Sequence, residues 1–160
     1  MKRHFPFSIF HFLFFAFALA GCQSPEFQGI QDARVKMNED IKNEPPGNYF
    51  IGRRYYKEDY KFWGFVRKPG ESWRSAQLVM MNEQKKLAPD RERGQLGSDH
   101  GYEYKLFGNF SGETVYEPAS NGFYPEFVLT GYELRSTTPP PIFHTSAANN
   151  PTTRVIGEPY

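Results

Sequence analysis

The chain has 160 residues, a formal net charge of +1 and a single cysteine, and 18% of its residues are aromatic. This length suits one domain of ordinary size. One cysteine excludes an intrachain disulfide, a CxxC redox pair and a cysteine-rich zinc site.

The first 22 residues are organised like a secretory signal. Lys2 and Arg3 precede an almost wholly apolar run over residues 5–20. A short positive segment followed by an apolar core is typical of a signal peptide, and the run is shorter than the about 20 residues of a membrane-spanning helix. The run ends in Leu19-Ala20-Gly21-Cys22, which resembles the lipobox of bacterial lipoproteins.

The resemblance implies that the signal peptide, residues 1–21, is cleaved off and that the thiol of Cys22 is lipidated. Gln23 follows, and in Gram-negative members of this class a residue other than aspartate implies release to the outer membrane. We therefore expect a protein lipid-anchored in the bacterial cell envelope, at the outer membrane. The alternatives are a soluble periplasmic protein with an ordinary signal peptide and a protein with an uncleaved membrane anchor.

The mature chain is predicted to begin with a tether and a short helix. Residues 22–29 are mostly polar and include proline and glycine, which favours an extended tether. Apolar residues then recur at helical spacing and predict a helix over residues 30–43. Two prolines and a glycine over residues 45–47 end this helix, because proline cannot continue it.

From residue 48 the pattern is that of β-strands rich in aromatic residues. Pro69-Gly70 predicts the turn of a hairpin, and Asn121-Gly122 predicts another turn. Residues 82–101, broken by proline and glycines, predict a long loop. The predicted strands cover residues 49–56, 60–67, 73–81, 102–110, 113–116 and 127–134.

These elements predict a mainly β protein with one domain over residues 30–135. Glycines inside several strands favour sharp curvature, so we expect a small antiparallel barrel or sandwich with one short N-terminal helix. The arrangement resembles an oligonucleotide/oligosaccharide-binding (OB) barrel. Residues 136–160 are rich in proline, serine, threonine and asparagine, which predicts a disordered tail.

Basic residues interleaved with aromatic ones form the densest chemical feature of the mature chain. Such a pattern can bind an anionic chain by charge and by stacking. The alternative is a structural strand whose basic residues are solvated on its outer face. The candidate ligand-binding residues are Arg53, Arg54, Lys57, Trp63 and Arg67.

No catalytic residue, metal site or cofactor is predicted. Ser98-Asp99-His100 are adjacent in sequence, whereas the residues of a catalytic triad must converge in space. Acidic residues near residues 90–103 match no EF-hand spacing, although oxygen ligands in a loop with glycines can hold calcium.

The sequence thus predicts a non-enzymatic structural or interaction module of the envelope. The alternative is a binding module for an anionic glycan or lipid through the basic and aromatic strand, and a hydrolase ranks last. The predicted partners are the membrane, through the lipid on Cys22, and an envelope protein, peptidoglycan or an anionic glycan. Nucleic acid is not expected.

Overall fold

Strands form where aromatic and β-branched residues are dense, because these side chains pack well on a pleated surface. A computed structural model describes residues 25–160, of which residues 33–160 form one compact unit. Its elements are α1 (Pro25–Lys42), β1 (Phe50–Arg54), β2 (Gly64–Arg67), a 3-10 turn (Trp73–Ser75), β3 (Gln77–Asn82), α2 (Pro89–Glu92), β4 (Glu103–Glu117), β5 (Gly122–Ser136) and α3 (Ser146–Asn149).

The five strands close into a barrel in the order β1-β2-β3-β5-β4. Neighbouring strands are antiparallel except β3 and β5, which run parallel over three residue pairs. The prediction of a small, mainly β barrel is therefore confirmed, and the choice between barrel and sandwich is settled for the barrel.

Two apolar cores lie on the two faces of the barrel wall. Side chains alternate along a strand, so Val66 and Phe65 of β2 belong to different cores. Val66 packs with residues of the barrel interior such as Val79 and Leu129. Phe65 belongs to a second core that includes Met37 of α1 and also Ile142 and Phe143. The last two lie in residues 137–160, which we call the C-terminal segment. Both faces of β2 are consequently buried.

Helix α1 begins at Pro25, earlier than the predicted residue 30, and ends at Lys42, close to the predicted end. Residues 25–29, predicted as tether, are therefore helical. Met37 and Ile41 are buried, one helical turn apart, as the predicted apolar stripe requires. Among residues 25–160, no helix has the length and apolarity needed to cross a membrane. The predicted signal peptide and Cys22 lie outside the described residues.

Strands β4 and β5 form one long hairpin that extends past the barrel wall. The two predicted strands over residues 102–116 are one strand, whose register shifts between Phe110 and Thr114. Gly112 lies in this irregularity with φ 89°, a conformation that glycine adopts at little cost. The turn residue Asn121 has φ 52°, which asparagine tolerates better than most residues. We call residues 111–125 the hairpin arm.

The prediction of a disordered tail over residues 136–160 is wrong. Ile142 and Phe143 are 1% and 6% exposed, and the buried Tyr55 hydroxyl donates to the Ala148 carbonyl at 2.6 Å. The same oxygen accepts the backbone N–H of Gly157 at 3.0 Å. Low average hydrophobicity concealed a few apolar residues that fill the second core, and docking of these residues orders the segment.

Candidate functional site

The five residues proposed from the sequence as a ligand-binding surface are all buried, with at most 4% of each exposed. They are Arg53, Arg54, Lys57, Trp63 and Arg67. The four cationic side chains make ion pairs or hydrogen bonds within the protein. The expected exposed surface of basic and aromatic side chains is therefore not formed, because both faces of its strands are covered.

Two of these arginines flank Trp73. The guanidinium carbons of Arg53 and Arg67 lie 5.1 and 4.6 Å from the centroid of the Trp73 ring. Arg53 donates to Glu103 at 2.6 Å. Arg67 binds both carboxylate oxygens of Glu44, at 2.6 and 2.8 Å. Both cations thus join elements of the fold, and their charges are neutralised internally.

Arg54 lies in a buried ionic cluster at one end of the barrel. Its Nη2 donates to Asp90 at 2.8 Å, and its Nε lies 3.4 Å from Asp99. Tyr104 donates its hydroxyl to Asp99 at 2.8 Å. Burial raises the pKa of Asp99, whereas for Asp90 the effect of burial is outweighed by Arg54 and by the N–H of Gly97, so its pKa is lowered. Unequal acidities of this kind occur at catalytic sites, but both carboxylates are fully buried.

Lys57 and His100 attach the C-terminal segment to the barrel. Lys57 donates to the Asn150 carbonyl at 2.6 Å. The Nδ1 of His100 accepts the N–H of Tyr56 at 3.1 Å, and its Nε2 lies 2.6 Å from the Asn149 carbonyl. The imidazole is therefore neutral with its proton on Nε2, and burial lowers its pKa. Since both ring nitrogens are engaged, His100 is a structural link between the barrel and the C-terminal segment.

The hairpin arm carries an exposed aromatic pair. Phe123 on β5 is 70% exposed, the largest value for a big apolar side chain in the described part of the chain. Tyr116 is directly opposite on β4, with the two ring centroids 5.1 Å apart, and it is 47% exposed. Its hydroxyl donates to the Asn121 side chain at 2.8 Å. We call Tyr116 and Phe123 the aromatic pair.

The tip of the hairpin arm is held rigidly. The buried Glu117 carboxylate accepts the N–H groups of Ser120 at 2.7 Å and Ala119 at 3.3 Å. Burial would raise the pKa of Glu117, but these hydrogen bonds outweigh it and lower the pKa. On the other side of the arm, the ring of Tyr124 lies 5.7 Å from that of Phe62. One side of the arm is thus fastened to the body, and the aromatic pair lies on the opposite side.

A cleft of about 590 Å³ lies beside the exposed side of the arm. Thr114 and Pro125 are paired across the hairpin, two residues from the aromatic pair on each strand, and so lie on the same side. Both line the cleft, together with Phe110 and with Phe50 and Gln77 from β1 and β3. We call this cleft the hairpin groove. Its volume is in the range of ligand-binding clefts.

The hairpin groove carries little net charge. Its charged lining residues are Arg67, Lys68, Glu71 and Glu113, two of each sign. Arg67 is bound to Glu44 and is buried. One exposed cation, Lys68, and two exposed anions, Glu71 and Glu113, remain, so the groove combines apolar surface and neutral polar groups with a weak negative charge.

A second cleft, also about 590 Å³, lies along the outside of β3. Half of its lining comes from residues 156–160, which include the partly exposed Ile156 and the chain-terminal Tyr160. This face is thus largely occupied by the protein's own C-terminal segment. The hairpin groove is lined by the barrel and its hairpin, and it is therefore a better candidate for a binding site than the second cleft.

Neither the hairpin groove nor the aromatic pair was predicted from the sequence. A local signal existed, because Tyr116 and Phe123 lie on either side of the predicted turn and would face each other in a hairpin. No local sequence pattern could predict the groove, because Phe50 and Gln77 are far from Thr114 and Pro125 in sequence.

Comparison with protein-family models, curated proteins and solved structures gives no match to this chain. Within residues 25–160, no three histidine, cysteine, aspartate or glutamate side chains are grouped so that they could hold a metal ion. The candidate site is therefore described by its own geometry: a rigid, exposed aromatic pair beside a groove of little net charge.

Proposed function

We propose that this protein is a lipid-anchored, non-enzymatic interaction module of the bacterial envelope whose contact surface is the hairpin groove with its aromatic pair. The observation that carries the proposal is the 70% exposure of Phe123 on a rigid hairpin arm, next to a cleft of about 590 Å³. Leu19-Ala20-Gly21-Cys22 and the preceding apolar run support the anchor.

The rigidity of the arm favours binding. Aromatic side chains are enriched among the residues that dominate binding energy at interfaces. Single exposed apolar residues are common on protein surfaces, but here two rings pair and their hairpin is fixed by Glu117 and Asn121. A partner that covers the pair gains apolar burial with little further loss of conformational entropy.

A lipid on Cys22 would place the groove near the membrane surface. Tethering raises the effective concentration of a module for partners on the same surface. A weak, specific contact is then sufficient for function, which fits a groove of moderate size without strong charge.

The alternative of an anionic ligand bound through the basic and aromatic strand loses its basis, because Arg53, Arg54 and Arg67 are buried in ion pairs. No observation favours a hydrolase, since His100 uses both ring nitrogens within the fold.

The anchor is tested by fractionation and intact mass of the wild type and of Cys22→Ala. We expect lipid on the wild-type protein and its recovery with the outer membrane. Cys22→Ala should retain its signal peptide or become soluble. A wild-type protein that is soluble and unacylated would refute the anchor.

The contact surface is tested with a photo-cross-linking amino acid at position 123, introduced into the full chain in cells. The matched control is position 134, since Leu134 is also on β5 and is 53% exposed. We expect adducts from position 123 that are missing at position 134. Equal adducts at both positions, or none at 123, would contradict the proposed surface.

A further inference from the structure

Apart from Arg67, which is buried and bound to Glu44, three charged and three neutral polar side chains line the hairpin groove, and all six are exposed. Ser75, Gln77 and Thr114 supply hydroxyl and amide groups to the lining, and all three residues are exposed. The Gln77 amide and the Thr114 hydroxyl can both donate and accept hydrogen bonds, whereas the Ser75 hydroxyl donates to the Ser72 carbonyl at 2.8 Å and can accept from a ligand. They suit a ligand that carries many hydroxyl or acetamido groups.

The apolar surface of the groove is aromatic. The rings of Phe50 and Phe110 lie 5.6 Å apart, edge to face, and both residues line the groove. Thr114 and Pro125 then lead to the aromatic pair on the same side of the arm. The electron-rich faces of aromatic rings attract the positively polarised C–H groups of a ligand. The lining thus combines aromatic rings with hydrogen-bonding groups.

The lining charges of the groove disfavour a polyanion and give little attraction for a polycation. The Arg67 guanidinium is committed to Glu44, so the remaining charged lining residues are one cation, Lys68, and two anions, Glu71 and Glu113. A polyanion would gain no net attraction here, and an excess of one negative charge is a weak field for steering a polycation.

The backbone of the hairpin arm is also poorly suited to bind a peptide as an additional strand of the sheet. Pro125 has no N–H to offer to a β-ladder. On β4, the Asn109 side chain donates to the Phe110 carbonyl at 3.0 Å, and Ser111 Oγ accepts the N–H of Glu113 at 3.1 Å. Local side chains and a bulge therefore occupy backbone groups that strand addition would need.

We propose that the hairpin groove binds an uncharged glycan segment, and that its source in the envelope is the glycan strand of peptidoglycan. The sugar C–H faces lie on the aromatic pair and on Phe110, and their hydroxyl and acetamido groups bond to Gln77 and Thr114. This inference rests on the proposed function, since it names the ligand of the same contact surface.

The test uses the full-length, lipidated protein purified in detergent. Two probes are used: purified sacculi in a sedimentation assay, and a β-1,4-linked N-acetylglucosamine tetramer in a calorimetric titration. We expect binding to both, with little change in affinity between low and high salt. Phe123→Ala should bind about tenfold more weakly, and Gln77→Ala should also bind more weakly, while Leu134→Ala should bind like the wild type.

Several outcomes would overturn the inference. They are lack of binding to the tetramer, retention on sacculi that falls steeply with salt, and wild-type affinity of Phe123→Ala. Loss of retention when an amidase removes the peptide stems would assign the binding to peptide rather than glycan.

The experiments separate this inference from the proposed function. If position 123 cross-links to an envelope protein but no glycan binds, the ligand class is wrong and the contact surface stands. If neither cross-linking nor glycan binding occurs, both are wrong.

Discussion

Glu44 connects three parts of the chain, and its replacement tests whether the buried ion pairs hold the fold. The residue follows α1 and is 5% exposed at its side chain. Its carboxylate accepts two bonds from Arg67 at 2.6 and 2.8 Å, one from Arg135 at 2.9 Å and one from the N–H of Gly70 at 2.9 Å. Every bond comes from a residue beyond α1, so Glu44 joins the end of the helix to the barrel.

We expect Glu44→Gln to lower the free energy of unfolding by about 3 kcal/mol. Removing one partner of a buried ion pair typically costs about 3–5 kcal/mol, because the remaining charge is left uncompensated. The Arg67 side chain is 1% exposed, while Arg135 is partly exposed and can be hydrated, which favours the lower end of that range. Glu133→Gln is the matched control: Glu133 is 62% exposed and lies 3.6 Å from Lys105. Its replacement should change the stability by less than about 0.5 kcal/mol.

The assay is urea unfolding followed by tryptophan fluorescence, since Trp63 and Trp73 are both buried. Burial would raise the pKa of Glu44, but the bonds from Arg67, Gly70 and Arg135 outweigh it and lower the pKa. The stabilisation is therefore complete above the pKa of the unfolded chain, about 4.3, and is lost as the pH falls through the lower pKa of the folded state.

The stability difference between wild type and Glu44→Gln should accordingly shrink at acidic pH. A loss of less than about 1 kcal/mol at pH 7, or a difference that does not change between pH 6 and pH 3, would refute the reasoning.

Three further substitutions test the packing of the barrel and of the C-terminal segment. Gly52→Ala would place its Cβ 2.5 Å from Leu106, so a urea titration should show a loss of about 1–3 kcal/mol; an unchanged midpoint would contradict the packing of the barrel interior. Tyr55→Phe removes the bonds between its hydroxyl and the C-terminal segment, so amide exchange in residues 148–157 should accelerate, and unchanged protection would count against the docked segment. Burial lowers the pKa of His100, so the unfolded chain, with a His pKa of about 6.5, binds the proton more readily and stability falls as the pH drops below that value. His100→Asn should flatten this dependence between pH 7 and pH 5 in the same titration, and an equal slope in both proteins would exclude His100 as its source.

Local patterns predicted most of the secondary structure. The apolar spacing of Met37 and Ile41 and the following prolines located the end of α1. Pro69-Gly70 located the turn between β2 and β3, and Asn121-Gly122 the start of β5. These features depend on backbone conformation over a few residues, which the side chains of those residues largely determine. The lipobox at Cys22 also depends on a pattern of a few neighbouring residues, and it stays a prediction.

The surface could not be predicted in this way. Alternation along residues 60–67 suggested an outer face of solvated basic residues, but α1 and the C-terminal segment cover the outer face of β2. The partners of Arg53 and Arg67 are distant in sequence, at Glu103 and Glu44. A strand pattern shows which side chains share a face, yet it does not show whether another part of the chain covers that face.

The amino-acid sequence alone thus determined the class of fold, the order of most strands and turns, and the expectation of an anchored envelope protein. Only the tertiary structure decided that the basic strand is internal, that residues 136–160 are docked, and that Phe50 and Gln77 meet Thr114 and Pro125 in one groove. The physical reason is the distance along the chain over which each interaction acts. Turn and strand propensities act between neighbouring residues, whereas burial and ion pairing depend on closure of the barrel, which brings distant segments together.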